Sequence, residues 1–312
     1  MKKRNLITLI LVPALILSLA LGVYAATGSK QIEVTYRDIS TQVNGMPVVA
    51  DQEPFIFEGR TFVPLRFVAQ ALGQNVTWDD SKSQVRVAKP LELNSSFNGK
   101  TVYLSKEYQV FAIELEGNAT TGYQWTAKDY DKNLLDLIGG EPQYVIHSTG
   151  TSTEPLVGVG GTYVFRFMTK GQIGETTIKL ANERSWETTE APAETFELNV
   201  RINLTDTVVA VTDEDNGGAV CMLMPVQQRL DVLLKGNPTT GYTWEVVGGD
   251  GAVIALQGEP EFKADSEALG APGIFTFHFA PQAPGQTMLQ LSYSKSGEDK
   301  PAQEYNLLVC VY

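Results

Sequence analysis

Histidine and cysteine are almost absent from this chain. It has two of each in 312 residues: His147, His278, Cys221 and Cys310. That scarcity leaves no Ser-His-Asp or Cys-His set for nucleophilic catalysis and no cluster with metal-ligand spacing. Neither cysteine is a good nucleophile candidate, because no His or Asn arrangement points to one. A phosphate-binding glycine loop is missing too. Basic charge is short: 24 Lys and Arg face 36 Asp and Glu, a formal net charge of −12. An acidic surface argues against nucleic acid and anionic membranes as partners. What remains is a protein without cofactor or enzymatic activity, which works by binding.

Long apolar runs are missing after the first residues. Lys2, Lys3 and Arg4 precede an apolar stretch over residues 6–23, and Val23-Tyr24-Ala25 offers a small-residue cleavage site. Residues 1–26 therefore read as a secretory signal. Thr8, Pro13, Ser18 and Gly22 interrupt the run, and an uncleaved N-terminal anchor is the other option. No cysteine stands near it to carry a lipid. The expectation is export, to the medium or the cell surface. Losing 26 residues and three positive charges would leave 286 residues and a balance of −15, enough chain for two or three domains.

The chain does hold one octapeptide written twice. Asn118-Ala119-Thr120-Thr121-Gly122-Tyr123-Gln124-Trp125 returns 119 residues later as Asn237-Pro238-Thr239-Thr240-Gly241-Tyr242-Thr243-Trp244, with six of eight positions shared. Such a period marks a domain duplication. The Asn-x-Thr-Thr-Gly core is turn chemistry, since Asn and Thr side chains bond nearby backbone and Gly tolerates positive φ. Each copy reads as a loop between two strands. A plain alternative makes Tyr and Trp core anchors and the polar residues mere turn formers.

More of the chain repeats. Gly140-Glu141-Pro142 recurs as Gly258-Glu259-Pro260, and Tyr163-Val164-Phe165-Arg166-Phe167 as Phe275-Thr276-Phe277-His278-Phe279. The alternation is that of half-buried strands. Residues 91–205 and 206–312 thus read as two tandem β-sandwiches of immunoglobulin type, in a mostly β protein. His147 falls in a polar loop and His278 in a strand. With no carboxylate or thiol expected beside either, both read as structural. Cys221 and Cys310 lie in the first and last predicted strands of the second repeat, and either a disulfide or two buried thiols fits.

Two further loops stand out in the first repeat. Gly158-Val159-Gly160-Gly161 holds three glycines in four positions, which suits tight turning or close approach of another chain. Arg184-Ser185-Trp186 places two residue types enriched at interface hot spots in one loop.

Residues 30–90 read as a small α+β domain. A strand ends at Asn44-Gly45, a second covers residues 54–57, and Glu58-Gly59-Arg60 turns the chain into Thr61-Phe62-Val63. A helix then starts at Pro64 and stops at Gly73, and a hairpin closes the unit over residues 76–87. The run Gly59-Arg60-Thr61-Phe62-Val63-Pro64-Leu65-Arg66-Phe67-Val68, with Leu72-Gly73 and Val76-Thr77-Trp78-Asp79, resembles the copper amine oxidase N-terminal-like domain of exported proteins. The resemblance implies a non-catalytic stalk or wall-associated module, with cell-envelope polymer as one candidate partner. Both histidines lie outside it, so it implies no copper site.

The order Asn-x-Thr-Thr-Gly-Tyr-x-Trp, Gly-x-Gly-Gly, Arg-x-Trp resembles the chagasin family, immunoglobulin-like inhibitors of papain-type cysteine proteases. What the resemblance implies is a wedge of three loops entering a protease cleft. Asn118, Thr120, Thr121, Gly122 and Tyr123 would lie by the catalytic thiol, with Gly158, Gly160 and Gly161 on one side and Arg184 and Trp186 on the other. Ala119 and Ser185 stand where that family usually has proline. In the second repeat Asn237, Pro238, Thr239, Thr240, Gly241 and Tyr242 form the corresponding first loop. Its second loop, Gly270-Ala271-Pro272-Gly273, lacks one glycine, and Lys295-Ser296-Gly297 stands where the Arg-x-Trp loop would be. The second repeat therefore reads as the less complete site, weakly inhibitory or structural. The rival reading of the whole is a non-catalytic envelope-binding or adhesive protein whose sandwiches are spacers.

Overall fold

The computed structural model describes residues 31–43, 46–50, 52–79, 82–104, 108–147, 159–187, 191–203, 208–222 and 228–312. The expected signal and Gly158 lie outside the described residues. The chain divides into two compact units, one of residues up to 41 with 49–64, the other of residues 42–48 with 65–312.

The small N-terminal elements follow the turn chemistry of the sequence. Strands β1 (Thr41–Val43) and β2 (Met46–Val48) pair with each other, and the expected Asn44-Gly45 turn lies outside the described residues. Strands β3 (Phe55–Phe57) and β4 (Arg60–Phe62) form a hairpin, with Phe55 stacked on Phe62 at 5.4 Å. Helix α1 (Leu65–Ala71) begins after Pro64, whose fixed φ suits a helix start, and the next turn leads to β5 (Asn75–Asp79) and β6 (Gln84–Ala88). Asn75 is buried and pairs with one backbone residue of the next domain: its amide donates to the Val110 carbonyl at 3.0 Å and accepts from the Val110 N–H at 2.6 Å.

The first repeat supplies β7 (Leu91–Leu93), β8 (Lys100–Leu104), β9 (Val110–Gly117), β10 (Gln124–Asp129), β11 (Leu135–Leu137), β12 (Gln143–Ile146), β13 (Gly161–Thr169), β14 (Gly174–Glu183) and β15 (Glu194–Ile202). The second supplies β16 (Val208–Thr212), β17 (Ala219–Met222), β18 (Arg229–Gly236), β19 (Tyr242–Gly248), β20 (Ile254–Leu256), β21 (Glu261–Ala264), β22 (Gly273–Pro281), β23 (Gly285–Lys295) and β24 (Gln303–Val311). The expected period-two burial is there: Phe275, Phe277 and Phe279 of β22 are buried while Thr276 and His278 are only partly covered. Full burial of each such ring stabilises by about 1.5–3 kcal/mol.

Each sandwich has its own outer sheet, β11-β13-β9-β7 with β12 on β13 and β16-β18-β22-β20 with β21 on β22. The inner sheets are one. Its eight strands run β10-β14-β15-β8-β17-β24-β23-β19, joined where β8 and β17 pair in parallel through Val102 with Ala219 and Tyr103 with Val220. The middle of this sheet is buried on both faces. Val102, Leu104, Ala219, Cys221, Cys310 and Tyr312 belong to the first core, while Tyr103, Val220, Met222, Val309 and Val311 belong to the second. The two outer sheets therefore cover opposite faces of a shared layer. The two tandem sandwiches expected from the sequence are joined through one sheet.

The seam carries a polar lock. The Tyr103 hydroxyl donates to Asp215 Oδ1 at 3.1 Å and accepts from Arg201 Nη1 at 2.7 Å. Asp215 is buried and also accepts from the Thr212 N–H at 2.9 Å. Burial first, and the Asp215 charge next, push Tyr103 up to about 12.

Cys221 and Cys310 sit opposite each other in the parallel β17–β24 register, both buried and both free thiols. Of the two options open at the sequence level, the thiol pair is the one present, and the disulfide is not. The pair lies in the first core, among apolar side chains that need only its volume. The Cys221 hydrogen bond and burial hold the Cys310 thiol well above its usual range.

Candidate functional site

Register decides which loops meet. Gly161 opens β13 opposite Gly117, the last residue of β9, so the glycine loop sits beside the octapeptide loop. Gln124 pairs with Glu183, so Tyr123 emerges beside Arg184. All three loops of the first repeat thus come to one end of the sandwich, as far as they are described. Gly160 and Gly161 are placed there. The Gly160 carbonyl accepts from the His147 N–H at 3.1 Å, and a Cβ at Gly161 would meet the Val145 carbonyl oxygen at 2.5 Å.

The octapeptide forms a single 3-10 turn over Ala119–Thr121. Asn118 caps it: its Oδ1 accepts from the Thr120 N–H at 3.0 Å and from the Thr120 hydroxyl at 2.7 Å. The Thr121 hydroxyl donates to the Asn118 carbonyl at 2.6 Å. Gly122 closes the turn in the left-handed region, φ 84°, where a side chain is strained. This is the Asx-turn chemistry that the Asn-x-Thr-Thr-Gly pattern encodes.

The third loop clamps the first. Arg184 Nε and Nη2 donate to the Thr121 carbonyl at 3.3 and 3.2 Å, and Nη1 donates to Glu187 at 2.8 Å. The same guanidinium lies 4.5 Å from the centroid of the Tyr123 ring. One planar cation therefore holds a carbonyl, a carboxylate and an aromatic face at once, which a Lys ammonium does not match. Trp186 stays 65% exposed at the tip, with its ring edge over Gly122.

The plain structural reading holds for one aromatic of the motif and fails for the other. Trp125 is 3% exposed and donates Nε1–H to the Glu116 carbonyl at 3.0 Å, so it is a core anchor. Tyr123 is half-buried beneath Arg184, and its carbonyl accepts from Tyr163 at 3.3 Å. Glu187 was not foreseen. Its signal was its recurrence three residues after the cation in both repeats, as Arg184-Glu187 and Lys295-Glu298.

The second repeat copies the first loop closely. Asn237 Oδ1 accepts from the Thr239 N–H at 3.1 Å and its hydroxyl at 2.7 Å, the Thr240 hydroxyl donates to the Asn237 carbonyl at 2.6 Å, and Gly241 has φ 86°. Pro238 sits in the first turn. The rest differs. Lys295 Nζ lies 5.8 Å from the Tyr242 centroid, Tyr242 donates to Glu298 at 2.7 Å, and no indole is present at Gly297. The Glu298 hydrogen bond, with burial adding, raises the Tyr242 hydroxyl above its ordinary value. Asn237 Nδ2 donates to the Gly270 carbonyl at 2.8 Å, tying the second loop to the first. That loop presents Leu269, which is fully exposed at 106%.

Both histidines have carboxylate neighbours, contrary to the sequence expectation. His278 Nδ1 is 2.7 Å from Asp231, which also binds Arg229, and His147 Nε2 is 3.5 Å from Glu116. The pairs follow from strand register, His278 standing opposite Asp231 in β22 and β18. His147 Nε2 also lies 2.8 Å from the Thr162 hydroxyl, and each histidine ties one strand or loop to its neighbour. Among the described residues no group of three His, Cys, Asp or Glu could hold a metal ion.

A sandwich that gathers rigid turn loops at one end, with an exposed indole on the rim, is built to bind. The profile described as "Chagasin family peptidase inhibitor I42" matches residues 106–200 and 224–309, more than half of the chain. The chain belongs to that family, in two copies. The profile "Copper amine oxidase N-terminal domain" matches residues 15–87. Chagasin of Trypanosoma cruzi is 30% identical over 90 residues, 27% of this chain and 79% of its own. Among solved structures, the cysteine protease inhibitor EhICP2 of Entamoeba histolytica is 23% identical, covering 36% of this chain and 95% of its own, with a TM-score of 0.31. PbICP-C, solved in complex with falcipain-2, is 17% identical over 34% of this chain and 89% of its own, with a TM-score of 0.25.

Proposed function

We propose that this chain is an exported inhibitor of papain-type cysteine proteases, which its first repeat blocks reversibly by filling the active-site cleft with three loops. The observation that carries the reading is the Arg184 clamp. It joins the first and third loops into one rigid prow while leaving Trp186 exposed as an anchor. A preordered prow has little conformational entropy left to lose on binding. It also resists cleavage by its own geometry. Proteases attack extended backbone, whereas the Gly122 N–H is bonded to the Ala119 carbonyl and the Thr121 carbonyl to Arg184, folding the peptide bonds at the tip into a closed turn. Inhibition is then occlusion, with no covalent step. Export rests on the N-terminal pattern alone, with its basic start and apolar run.

The test is a titration of papain with the whole chain, beside Trp186→Ala. The expected result is reversible inhibition, weakened tenfold or more in the variant at unchanged melting temperature. Equal inhibition by both proteins would remove the third loop from the mechanism. No inhibition of any papain-type protease would leave the sandwiches as spacers.

A further inference from the structure

The shared sheet fixes where the two wedges point. Strands β15, β8, β17 and β24 are all parallel to one another. The third loop of the first repeat leads into β15, and its counterpart leads into β24, so both loop sets rise from the same end of one sheet. Their heights agree as well. Lys100 pairs with Leu198, and Glu194 with Asn182 and so with Trp125, which puts Trp125 four residues beyond Lys100. Val102 pairs with Ala219 and so with Leu308, and Gln303 with Tyr293 and so with Trp244, which puts Trp244 three residues beyond the same level.

Five strand steps separate β14 from β23. At about 4.8 Å per step the prongs stand about 24 Å apart, too close for two parallel-seated globular domains of roughly 40 Å diameter. Twist removes the conflict. At about 20° per step the strand directions diverge by about 100° across the five steps. The outer sheets, which supply the other loops, also lie on opposite faces of the shared layer. Bodies seated on the two prongs are carried apart.

We infer that the chain is two-headed: the second repeat is a working protease-binding wedge, and both wedges are occupied at once by two papain-type protease molecules. The inference rests on the reading of the first repeat given above. The second wedge keeps the turn hydrogen bonds of the first almost atom for atom. It replaces the missing indole with a different apolar anchor, Leu269 on the second loop, held to the first loop through Asn237 and Gly270. Leu269 belongs to neither core, and in this proposal it takes the contact role that the indole has in the first wedge. With Lys295 in place of the Arg184 fork, its clamp is looser, and the second wedge is the weaker of the two.

The test uses native mass spectrometry and sedimentation of the whole chain with excess papain, beside Trp186→Ala combined with Thr121→Ala, and Leu269→Ser combined with Thr240→Ala. Melting curves check that each variant is folded. The expected result is two proteases per wild-type chain and one per chain in each double variant. One protease per wild-type chain, lost only in the first variant, would overturn the two-headed reading and leave the first wedge standing. One protease per chain in all three proteins would mean the wedges exclude each other, which also overturns it. No complex with any of the three would sink the inhibitor reading itself.

Discussion

The indole of Trp186 lies so close over Gly122 that a Cβ there would come 2.5 Å from one ring carbon and 2.9 Å from another. The glycine is therefore required twice, once for its positive φ and once for the space the indole fills. A motif glycine and a loop tryptophan sixty-four residues away form a single contact surface.

Gly122→Ala should therefore harm binding more than its backbone strain alone predicts. The left-handed conformation costs about 1 kcal/mol for Ala, and the clash must also displace the Trp186 ring. Inhibition is expected to weaken at least tenfold while melting temperature falls only a few degrees. Gly241→Ala is the control: it has the same φ sign but meets only the flexible Lys295 side chain at 3.1 Å. A larger loss in the second wedge than in the first would contradict the argument.

Arg184→Lys keeps the charge and removes the fork. An ammonium is a single point charge and does not offer a planar fork to the Thr121 carbonyl, Glu187 and the Tyr123 face together. The expected outcome is a faster dissociation rate with the association rate nearly unchanged, read by stopped-flow or surface-based kinetics. Loss confined to the association rate would instead make Arg184 a steering charge.

Alkaline pH should unfold the seam. Tyr103 titrates near 12 in the folded state, against an ordinary 10.0, because burial and the Asp215 charge oppose the phenolate. A phenol whose folded value is raised contributes stability that is complete below pH 10 and lost as pH climbs from there through 12. The stability at stake is about 2–3 kcal/mol at most. Burial raises Tyr305 and Tyr312 in the same direction. Circular dichroism against pH should show cooperative unfolding above pH 10, shifted in Tyr103→Phe. Smooth tyrosinate titration at pH 10 without unfolding would refute it.

The thiol pair gives a fourth expectation. Cys221 is 4% and Cys310 0% exposed, and the Cys310 thiol is held protonated by Cys221 and burial. A thiol reagent should find no reactive group in the native protein and two after denaturation. Two fast-reacting native thiols, or none in the denatured state, would contradict this picture.

What the sequence disclosed, and what it hid, divide along contact range. The Asn-capped turn was legible because its hydrogen bonds span two or three residues, from Asn118 to Thr120 and Thr121. The buried faces of β13 and β22 were legible from period-two alternation. The Arg184 grip on Thr121 spans 63 residues and was visible only as two conspicuous side chains without a shared purpose. The core alternative for Tyr123 failed because its packing partner is a cation from another loop. The carboxylates beside His147 and His278 were hidden for a related reason: strand pairing places Asp231 and Glu116 there from 47 and 31 residues away. The β8–β17 seam left no trace at all, since β8 reads like any other short apolar strand.

That seam pairs the corresponding second strands of the two repeats side by side and in parallel, as two separate copies of one domain could pair edge to edge. Here a linker of a few residues has made the contact intramolecular. Association no longer depends on protein concentration, so dilution cannot separate the halves. The pairing also buries the open edge that either sandwich would present alone, and with it a common route by which β proteins aggregate. As parts of one chain, the two repeats form a domain pair that cannot dissociate.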